Sequence, residues 1–163
     1  MIGLSKQLEQ NDLEHLVLSG LFHDFSHHGG KFENVPDSIN IERSIKFLKQ
    51  FHEEVIQIPN YKIVKNLILC TEFPYIKLTD SCTLLEKIIR DADMCSVFEN
   101  NFIFTTVFGL AKEFDVDVKT QVDNQILFMS KLEFHTDYCK QLWTDKKQSK
   151  MDLIKIFKDI LND

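Results

Sequence analysis

A short stretch near the start of the chain combines the residue types that hold divalent metal ions. Residues 21–30 read LFHDFSHHGG, in which three histidines lie within six residues and an aspartate follows the first of them. His23 and His27 are four residues apart, so they share one face if the segment is helical. Asp24 lies one step round the helix and can lean toward a metal held by His23. The stretch therefore predicts a divalent-metal site, with solvent-exposed histidines at a helix end as the plainer alternative.

The metal site is expected at the carboxyl end of a helix. Asn11 and Asp12 can cap a helix that runs to about His27, and Gly29 with Gly30 ends it because glycine adopts the left-handed cap conformation without penalty. The inner positions of this helix are predicted to be Leu13, Leu16, Val17, Leu21 and Phe25. A helix carries partial negative charge at this end, which favours a cation. A zinc-protease site is a weaker option, since that motif has a glutamate after its first histidine and this chain has an aspartate.

Composition and charge narrow the classes of protein. The chain has 163 residues, of which 44% are hydrophobic and 27% charged, which fits one soluble domain over residues 1–163. A net charge of −6 argues against binding a nucleic-acid backbone, although a small nucleotide could still bind through a metal. No apolar run approaches the ~20 residues of a membrane span, and the first residues lack a secretory signal pattern. Four cysteines without a C-x-x-C pair indicate reduced, core-packed thiols, so we expect a cytoplasmic protein.

The remaining chain reads as helices. Glycine (5) and proline (3) are scarce, which favours long helices with short connections. Apolar residues at helical spacing predict helices over residues 38–57, from Pro59 to Pro74, 80–97, 117–143 and 148–161. The phenylalanine-rich segment 98–108 is expected to form a buried helix or helix pair, with a short strand as the alternative. The sequence therefore predicts an all-α fold, a compact helical bundle.

A later acidic pair can supply the ligands that His23 and Asp24 still need. Asp91 and Asp93 follow an apolar helical face and are two residues apart, so they point about 200° away from each other on a helix. Only one of them can face a metal site. The alternative is that both are solvated and pair with a neighbouring arginine or lysine. The spacing alone leaves these interpretations open.

These motifs resemble the HD superfamily of metal-dependent phosphohydrolases. The resemblance rests on His23-Asp24 after an apolar helix and on Ala92-Asp93 on a later helix. It implies a helical bundle of the HD type in which His23, Asp24 and Asp93 bind a divalent metal ion, with Mn, Mg, Zn or Fe as the options. It further implies that Asp93 lies on the site-facing side of its helix and that Asp91 faces out.

One branch of this superfamily has a closer pattern. His23-Asp24-x-x-His27-x-Gly29 resembles the signature of class I cyclic-nucleotide phosphodiesterases. The resemblance implies that His27 lies near a second metal and its bridging water, and that Asp24 is shared by both metals. It also implies a small nucleotide substrate, with a cyclic nucleotide as the sharper prediction.

Two further sets of residues follow from the same resemblance. Residues 124–128 resemble the helix in which a glutamine holds the purine edge and a phenylalanine stacks on the base, which would assign substrate binding to Gln125 and Phe128. They are one helical turn apart and can face one pocket. An ordinary amphipathic helix with Phe128 in the core is the favoured alternative. Glu42 would support the metal-activated water, with Glu53 as its rival and a surface carboxylate as the alternative.

The chain departs from the family pattern upstream of His23. Both patterns place another metal-binding histidine on an earlier helix, and here His15 is the only histidine in that region. It lies eight residues earlier, ~12 Å along a straight helix, which makes it a poor ligand for the same metal. Either the chain begins downstream of that motif or the ligand is absent. A site without it should bind metal more weakly and lack a proton donor.

Three functions are therefore predicted as alternatives. The first is a metal-dependent phosphohydrolase or phosphodiesterase that cleaves a nucleotide phosphoester through a metal-activated water. The second is an HD-type phosphomonoesterase, such as a nucleotidase. The third is a catalytically impaired HD scaffold, which the missing upstream histidine favours.

Overall fold

Helices account for all the regular structure in the described part of the chain. The computed structural model describes residues 8–25, 37–75 and 79–162, and no strand occurs among them. The all-α class predicted from the sequence is confirmed. His27 and the glycines at 29 and 30 lie outside the described residues. Within the same residues, no helix combines the length and the apolar composition that crossing a bilayer requires.

Residue contacts group the chain into two compact units, the first ending at Asp93 and the second starting at Met94 for the described residues. The helices of the first unit are α1 (Gln10–Phe22), α2 (Asp37–Glu54), α3 (Tyr61–Leu69) and α4 (Leu84–Asp93), with a 3₁₀ turn at Thr79–Ser81. Those of the second are α5 (Leu110–Phe114), α6 (Val118–Lys131) and α7 (Asp137–Ile160), preceded by a 3₁₀ turn at Cys95–Phe98 and a π-helical segment at Ile103–Gly109. The single domain predicted for residues 1–163 stays a prediction.

Helix α1 differs from its predicted form in length and in its buried face. It ends at Phe22, not near His27, and a turn follows. Val17 and Leu21, predicted as inner positions, are 61% and 67% exposed. The buried positions are instead His15, Ser19 and Phe22. This face is buried because α1 packs closely against α3. Ser19 is small enough to lie against that helix, and its hydroxyl donates to the His15 carbonyl of α1, 2.7 Å away.

Apolar residues from α1, α2, α3 and the connection before α3 form a core next to the turn at residues 23–25. Its buried members are Phe22, Ile41, Leu48, Ile58, Val64 and Ile68. A smaller cluster joins α3 to α4 through Leu67, Cys70 and Ile89. Helix α1 therefore lies against α2, α3 and α4, which places the end of α1 beside the end of α4.

Helix α4 is set by a cap and by a buried arginine. Its cap is Thr83 with Glu86, whose side chains and backbone N–H groups bond reciprocally, so the helix begins four residues later than the predicted start at residue 80. Arg90 is 1% exposed and donates through Nε to the Cys70 carbonyl at 2.7 Å, just past the end of α3. The last turn of α4 is thereby tied to the end of α3.

The second unit contains a break that the sequence analysis missed. The helix predicted over 117–143 and the separate one at 148–161 were wrong, because α6 ends at Lys131 and α7 runs unbroken from Asp137 to Ile160. Between them the chain is extended, which turns Leu132 and Phe134 into the core with Glu133 exposed between them. Thr136 starts α7 by accepting a hydrogen bond from the Cys139 N–H.

Replacing Thr136 by alanine is expected to destabilise the protein by about 1 kcal/mol, the usual cost of losing an N-cap. The free energy of unfolding, measured in urea, tests this value. Ser149→Ala is the matched control, because this exposed hydroxyl donates only to the Lys146 carbonyl within α7 and its loss should change stability by less than about 0.5 kcal/mol. Equal effects of the two changes would contradict the assigned cap.

Candidate metal centre

The structure brings His23, Asp24 and Asp93 together. The His23 Nε2 atom lies 3.1 Å from Asp93 Oδ1 and 3.3 Å from Asp24 Oδ2. The three ligand atoms lie within 4.8 Å of one another. Seventy residues separate His23 from Asp93 in the chain, so this convergence comes from packing α1 against α4.

The turn that carries His23 and Asp24 is held by aromatic residues on either side of it. Phe22 packs among the rings of α2, and its centroid lies 5.9 Å from that of Phe47. Phe25 stacks on the same Phe47 ring, with centroids 3.7 Å apart and planes inclined by 15°. Both flanking phenylalanines thus anchor on one helix, which fixes the direction in which the His-Asp pair points.

Two hydrogen bonds fix the backbone and the ring of His23. The Ser44 hydroxyl, fully buried on α2, donates to the His23 carbonyl at 2.6 Å. His23 Nδ1 lies 2.8 Å from the Gly20 carbonyl, which can only accept, so Nδ1 carries a proton. In the neutral ring this leaves the Nε2 lone pair facing the two carboxylates. Metal-binding histidines are commonly oriented in this way by a bond from their other nitrogen. Neither Ser44 nor Gly20 carries a sequence signal for this role, because one contacts a backbone carbonyl from another helix and the other acts through its own carbonyl.

The surroundings favour positive charge. His23 directly follows α1 and Asp93 is the last residue of α4, so two helix carboxyl ends with partial negative charge meet here. Hydrogen bonds raise the pKa of His23 to about 10, and the bond to Asp24 contributes most, followed by the bond to Asp93. Burial of the ring opposes this increase. In the metal-free protein the ring is therefore an imidazolium between two carboxylates at neutral pH.

A pH dependence of stability follows for the metal-free protein. The pKa of His23 is higher in the folded state than its ordinary 6.5, so its stabilising contribution is complete below pH 6.5 and is lost as pH rises through about 10. We expect the stability advantage of the wild type over His23→Gln to fall by about 1–2 kcal/mol between pH 7 and 10.5; this is less than the full shift implies, because Asp24 is 62% exposed and water screens its charge. Urea unfolding of both proteins in EDTA measures this difference. A constant difference across that range would contradict the pairing.

The donor set fits a divalent ion. One imidazole nitrogen and two carboxylates are the ligands that Mn, Fe and Zn take, whereas Mg prefers oxygen alone. His23 and Asp93 are about one-fifth exposed, at 19% and 20%, and Asp24 is largely exposed, so the cluster opens to solvent on the Asp24 side. Water can therefore complete the coordination of an ion held by these three residues, and a small substrate can approach from the same side.

Asp93 and Asp91 have separate environments, and the expectation that Asp91 faces out is wrong. Asp91 is 2% exposed. The alternative in which both aspartates are solvated is wrong for the same reason. The two do point in different directions, as a two-residue spacing on a helix requires. Because α4 packs against both α1 and α3, Asp91 is fully covered and Asp93 is covered in part.

The two glutamates predicted as site residues, Glu42 and Glu53, and His15 lie away from the cluster. Glu42 is exposed on α2 and lies about 160° around that helix from Ser44, the residue that contacts His23. The structure therefore does not bring Glu42 to the ligands. Glu53 is also exposed and lies 3.7 Å from Lys49. His15 is buried, with Nε2 3.2 Å from the Asn60 side-chain amide, so its ring contacts α3 and not the cluster.

Gln125 and Phe128 line one cavity in the second unit, as their spacing allows. The cavity has a volume of about 350 Å³, and Asn124, Gln121 and Phe114 also line it. Gln125 is buried, and Phe128 is half-buried and packs partly against the core, as the alternative interpretation expected. Gln121 was not identified from the sequence. Its carboxamide donates to the Thr106 carbonyl at 3.2 Å, while its Oε1 atom has no partner among the described residues.

We identify the cluster as a candidate metal centre from its chemistry. The grounds are the three ligand atoms, the orientation of His23 by Gly20 and Ser44, and the two helix ends. The resemblance to the HD superfamily stays a prediction from the motifs at residues 23–24 and 92–93. Comparisons of this chain with protein-family models, with curated proteins and with solved structures return no match.

Proposed function

We propose that this protein is a metal-dependent phosphohydrolase that cleaves a nucleotide phosphoester with a metal-activated water. The observation that supports it most is the convergence of His23, Asp24 and Asp93 where two helices end. A histidine nitrogen and two carboxylates at such a position offer good ligands, and the helix ends add to the attraction for a cation.

Each residue has a definite part in this proposal. His23 supplies Nε2, which the bond from Nδ1 to the Gly20 carbonyl keeps directed at the carboxylates. Asp93 supplies an oxygen from the more enclosed side, and Asp24 supplies one from the side open to solvent. A bound divalent ion would make hydroxide available near neutral pH and would offset the negative charge of the phosphate. The exposed edge at Asp24 is where a phosphoester can reach it.

The substrate that we propose is a nucleotide. A cyclic nucleotide is the more specific option, because the motif that includes His27 resembles that of the phosphodiesterases. In the second unit, the cavity that Gln125 and Phe128 line has the mixture of amide and aromatic groups that suits a purine base. Phosphomonoesters are the alternative. Turnover of cyclic AMP or GMP against release of phosphate from nucleoside monophosphates separates the two.

A scaffold without catalysis is the second proposal, and a specific observation favours it. His23 already makes two ion-pair contacts in the absence of a metal, and His15 is bonded to Asn60. Within the described residues the cluster has three protein ligands, one histidine fewer than the family pattern. Such a centre is stable without an ion and binds one more weakly.

Two measurements on the purified protein test the main proposal. Calorimetric titration with Mn²⁺ after EDTA treatment should show one or two ions bound per chain, with release of protons from His23. Hydrolysis of bis-p-nitrophenyl phosphate should then depend on added Mn²⁺. Binding without turnover of this ester or of any nucleotide would favour the scaffold, and no binding at all would overturn both the metal site and the hydrolase.

A further inference from the structure

A second site lies in the second unit, where the chain crosses from α6 to α7. A cavity of about 540 Å³ is lined by both the extended connection and the first turns of α7. Its lining residues are Leu132, Glu133, Phe134, Lys140, Trp143, Thr144, Lys147 and Gln148. This volume falls within the ~300–1,000 Å³ range of small-molecule sites.

Aromatic side chains make one wall of this cavity rigid. Trp143 is 6% exposed, and its ring centroid lies 5.8 Å from that of Phe134. Phe98 stacks on Phe134 at 4.9 Å and meets Trp143 edge-on at 6.0 Å. Three interlocked rings leave little freedom for Trp143 to turn, so the wall is pre-formed for a flat or apolar ligand.

The indole N–H of Trp143 has no hydrogen-bond partner among the described residues. Leaving a buried donor unsatisfied costs about 1–3 kcal/mol, so native proteins rarely retain one without a reason. Indole nitrogen can only donate. The nitrogen atom is itself buried, so a ligand in the cavity meets the indole ring and not its N–H.

The charged side chains that line the cavity favour an anionic ligand. Lys147 Nζ lies 5.8 Å from the centroid of the Trp143 ring, and Lys140 lines the same cavity with only a weak pair at 4.0 Å to Asp137. Glu133 is the single carboxylate against these two ammonium groups. A protein with a net charge of −6 thus presents a locally positive cavity.

The polar neutral groups of the lining are already engaged as donors. The Thr144 hydroxyl donates to the Lys140 carbonyl at 2.9 Å, and the Gln148 amide donates to Asp152 at 2.7 Å. The charged groups that a ligand meets are the two ammonium groups and Glu133. The two ammonium groups favour an anion over a neutral or cationic ligand.

We propose that this cavity binds a small organic carboxylate with an apolar body. The body packs on the Trp143–Phe134 wall, and the carboxylate pairs with Lys147 and Lys140. This proposal stands independently of the metal centre, because every lining residue belongs to the second unit.

Trp143 is the only tryptophan of the chain, so its fluorescence reports on this cavity alone. The probe is 4-phenylbutyrate, with its neutral amide and acetate as matched ligands. We expect a saturable change of tryptophan emission with phenylbutyrate, binding at least about fivefold weaker for the amide, and no change with acetate. Equal affinity for acid and amide would overturn the anionic site, and an emission that phenylbutyrate leaves unchanged would overturn the site itself.

Variants locate the binding. Lys147→Gln and Lys140→Gln should each weaken phenylbutyrate about two- to fivefold, the range expected for partly exposed charge pairs. Lys155→Gln, exposed further along α7 and outside the cavity lining, should leave the affinity unchanged. Trp143→Phe keeps an aromatic ring but makes the wall smaller, and calorimetry should show weaker binding. Should Lys155→Gln weaken binding as much as Lys147→Gln, the attraction is general to the basic helix and the proposal is wrong.

Discussion

Replacing Asp24 by alanine is expected to abolish Mn²⁺-dependent phosphoester hydrolysis and to weaken Mn²⁺ binding by more than about 100-fold. Loss of residues that merely support a ligand costs ~10–100-fold, so the loss of a direct carboxylate ligand should cost more. Titration calorimetry and the rate with bis-p-nitrophenyl phosphate measure the two effects. The protein should remain folded, because Asp24 is 62% exposed and its ion pair with His23 contributes under about 1 kcal/mol.

The control for this change is Asp80→Ala, which removes another exposed carboxylate of the first unit without touching the cluster. It should leave metal binding and turnover intact. Asp24→Asn tests charge at constant shape and should resemble Asp24→Ala, since a neutral amide is a poor ligand for these metals. Turnover that persists in Asp24→Ala would overturn the hydrolase as proposed.

Replacing Arg90 by methionine is expected to have the largest effect on stability, about 2–4 kcal/mol. Its guanidinium donates to the Cys70 carbonyl at 2.7 Å and to Cys82 Sγ at 3.2 Å, and lies 4.2 Å from the centre of the Tyr75 ring. Methionine fills similar space but leaves a buried carbonyl without its donor. Urea unfolding measures the loss. Lys87→Met, on a half-buried position of the same helix, should change stability by less than about 0.5 kcal/mol.

Arg90→Met should also weaken metal binding at the cluster. Arg90 lies one helical turn before Asp93, so losing its tie to α3 loosens the end of α4 that presents the carboxylate. We expect weaker Mn²⁺ binding by Arg90→Met at temperatures where circular dichroism shows it folded. Arg90→Lys keeps the charge without the planar fork and should recover only part of both losses. Stability equal to that of the wild type in Arg90→Met would contradict the buried position of the guanidinium.

Local chemistry explains why part of the fold could be predicted. Helical spacing identified α2, and Ile41 and Leu48 lie buried on its inner face. The caps were harder to place, because serine, threonine and aspartate occur at several positions near each helix start. The Thr83–Glu86 pair carries a recognisable signal, a threonine followed three residues later by glutamate, but Thr79, Asp80 and Ser81 just before it are also residue types that cap helices. The extended crossing at residues 132–136 interrupts apolar spacing that also suits a helix, so periodicity could not reveal it.

The buried face of α1 could not be predicted from the apolar residues of the helix. Val17 and Leu21 are apolar yet exposed, while His15 and Ser19 are buried. A small residue is needed where two helices approach closely, and a buried histidine is acceptable once Asn60 bonds its ring. Which face packs thus depends on the shape and polar groups of α3, which α1 alone does not contain.

The sequence by itself determined the all-helical class and placed a histidine and an aspartate side by side at a helix end, because these properties depend on neighbours in the chain. Only the tertiary structure decided that Asp93 and not Glu42 meets His23, since that depends on how α1, α2 and α4 are rotated and packed. It also decided the direction of the imidazole, through carbonyl and hydroxyl contacts at Gly20 and Ser44. Residues seventy positions apart come within 3.1 Å only because the core beneath them fixes where both helices end.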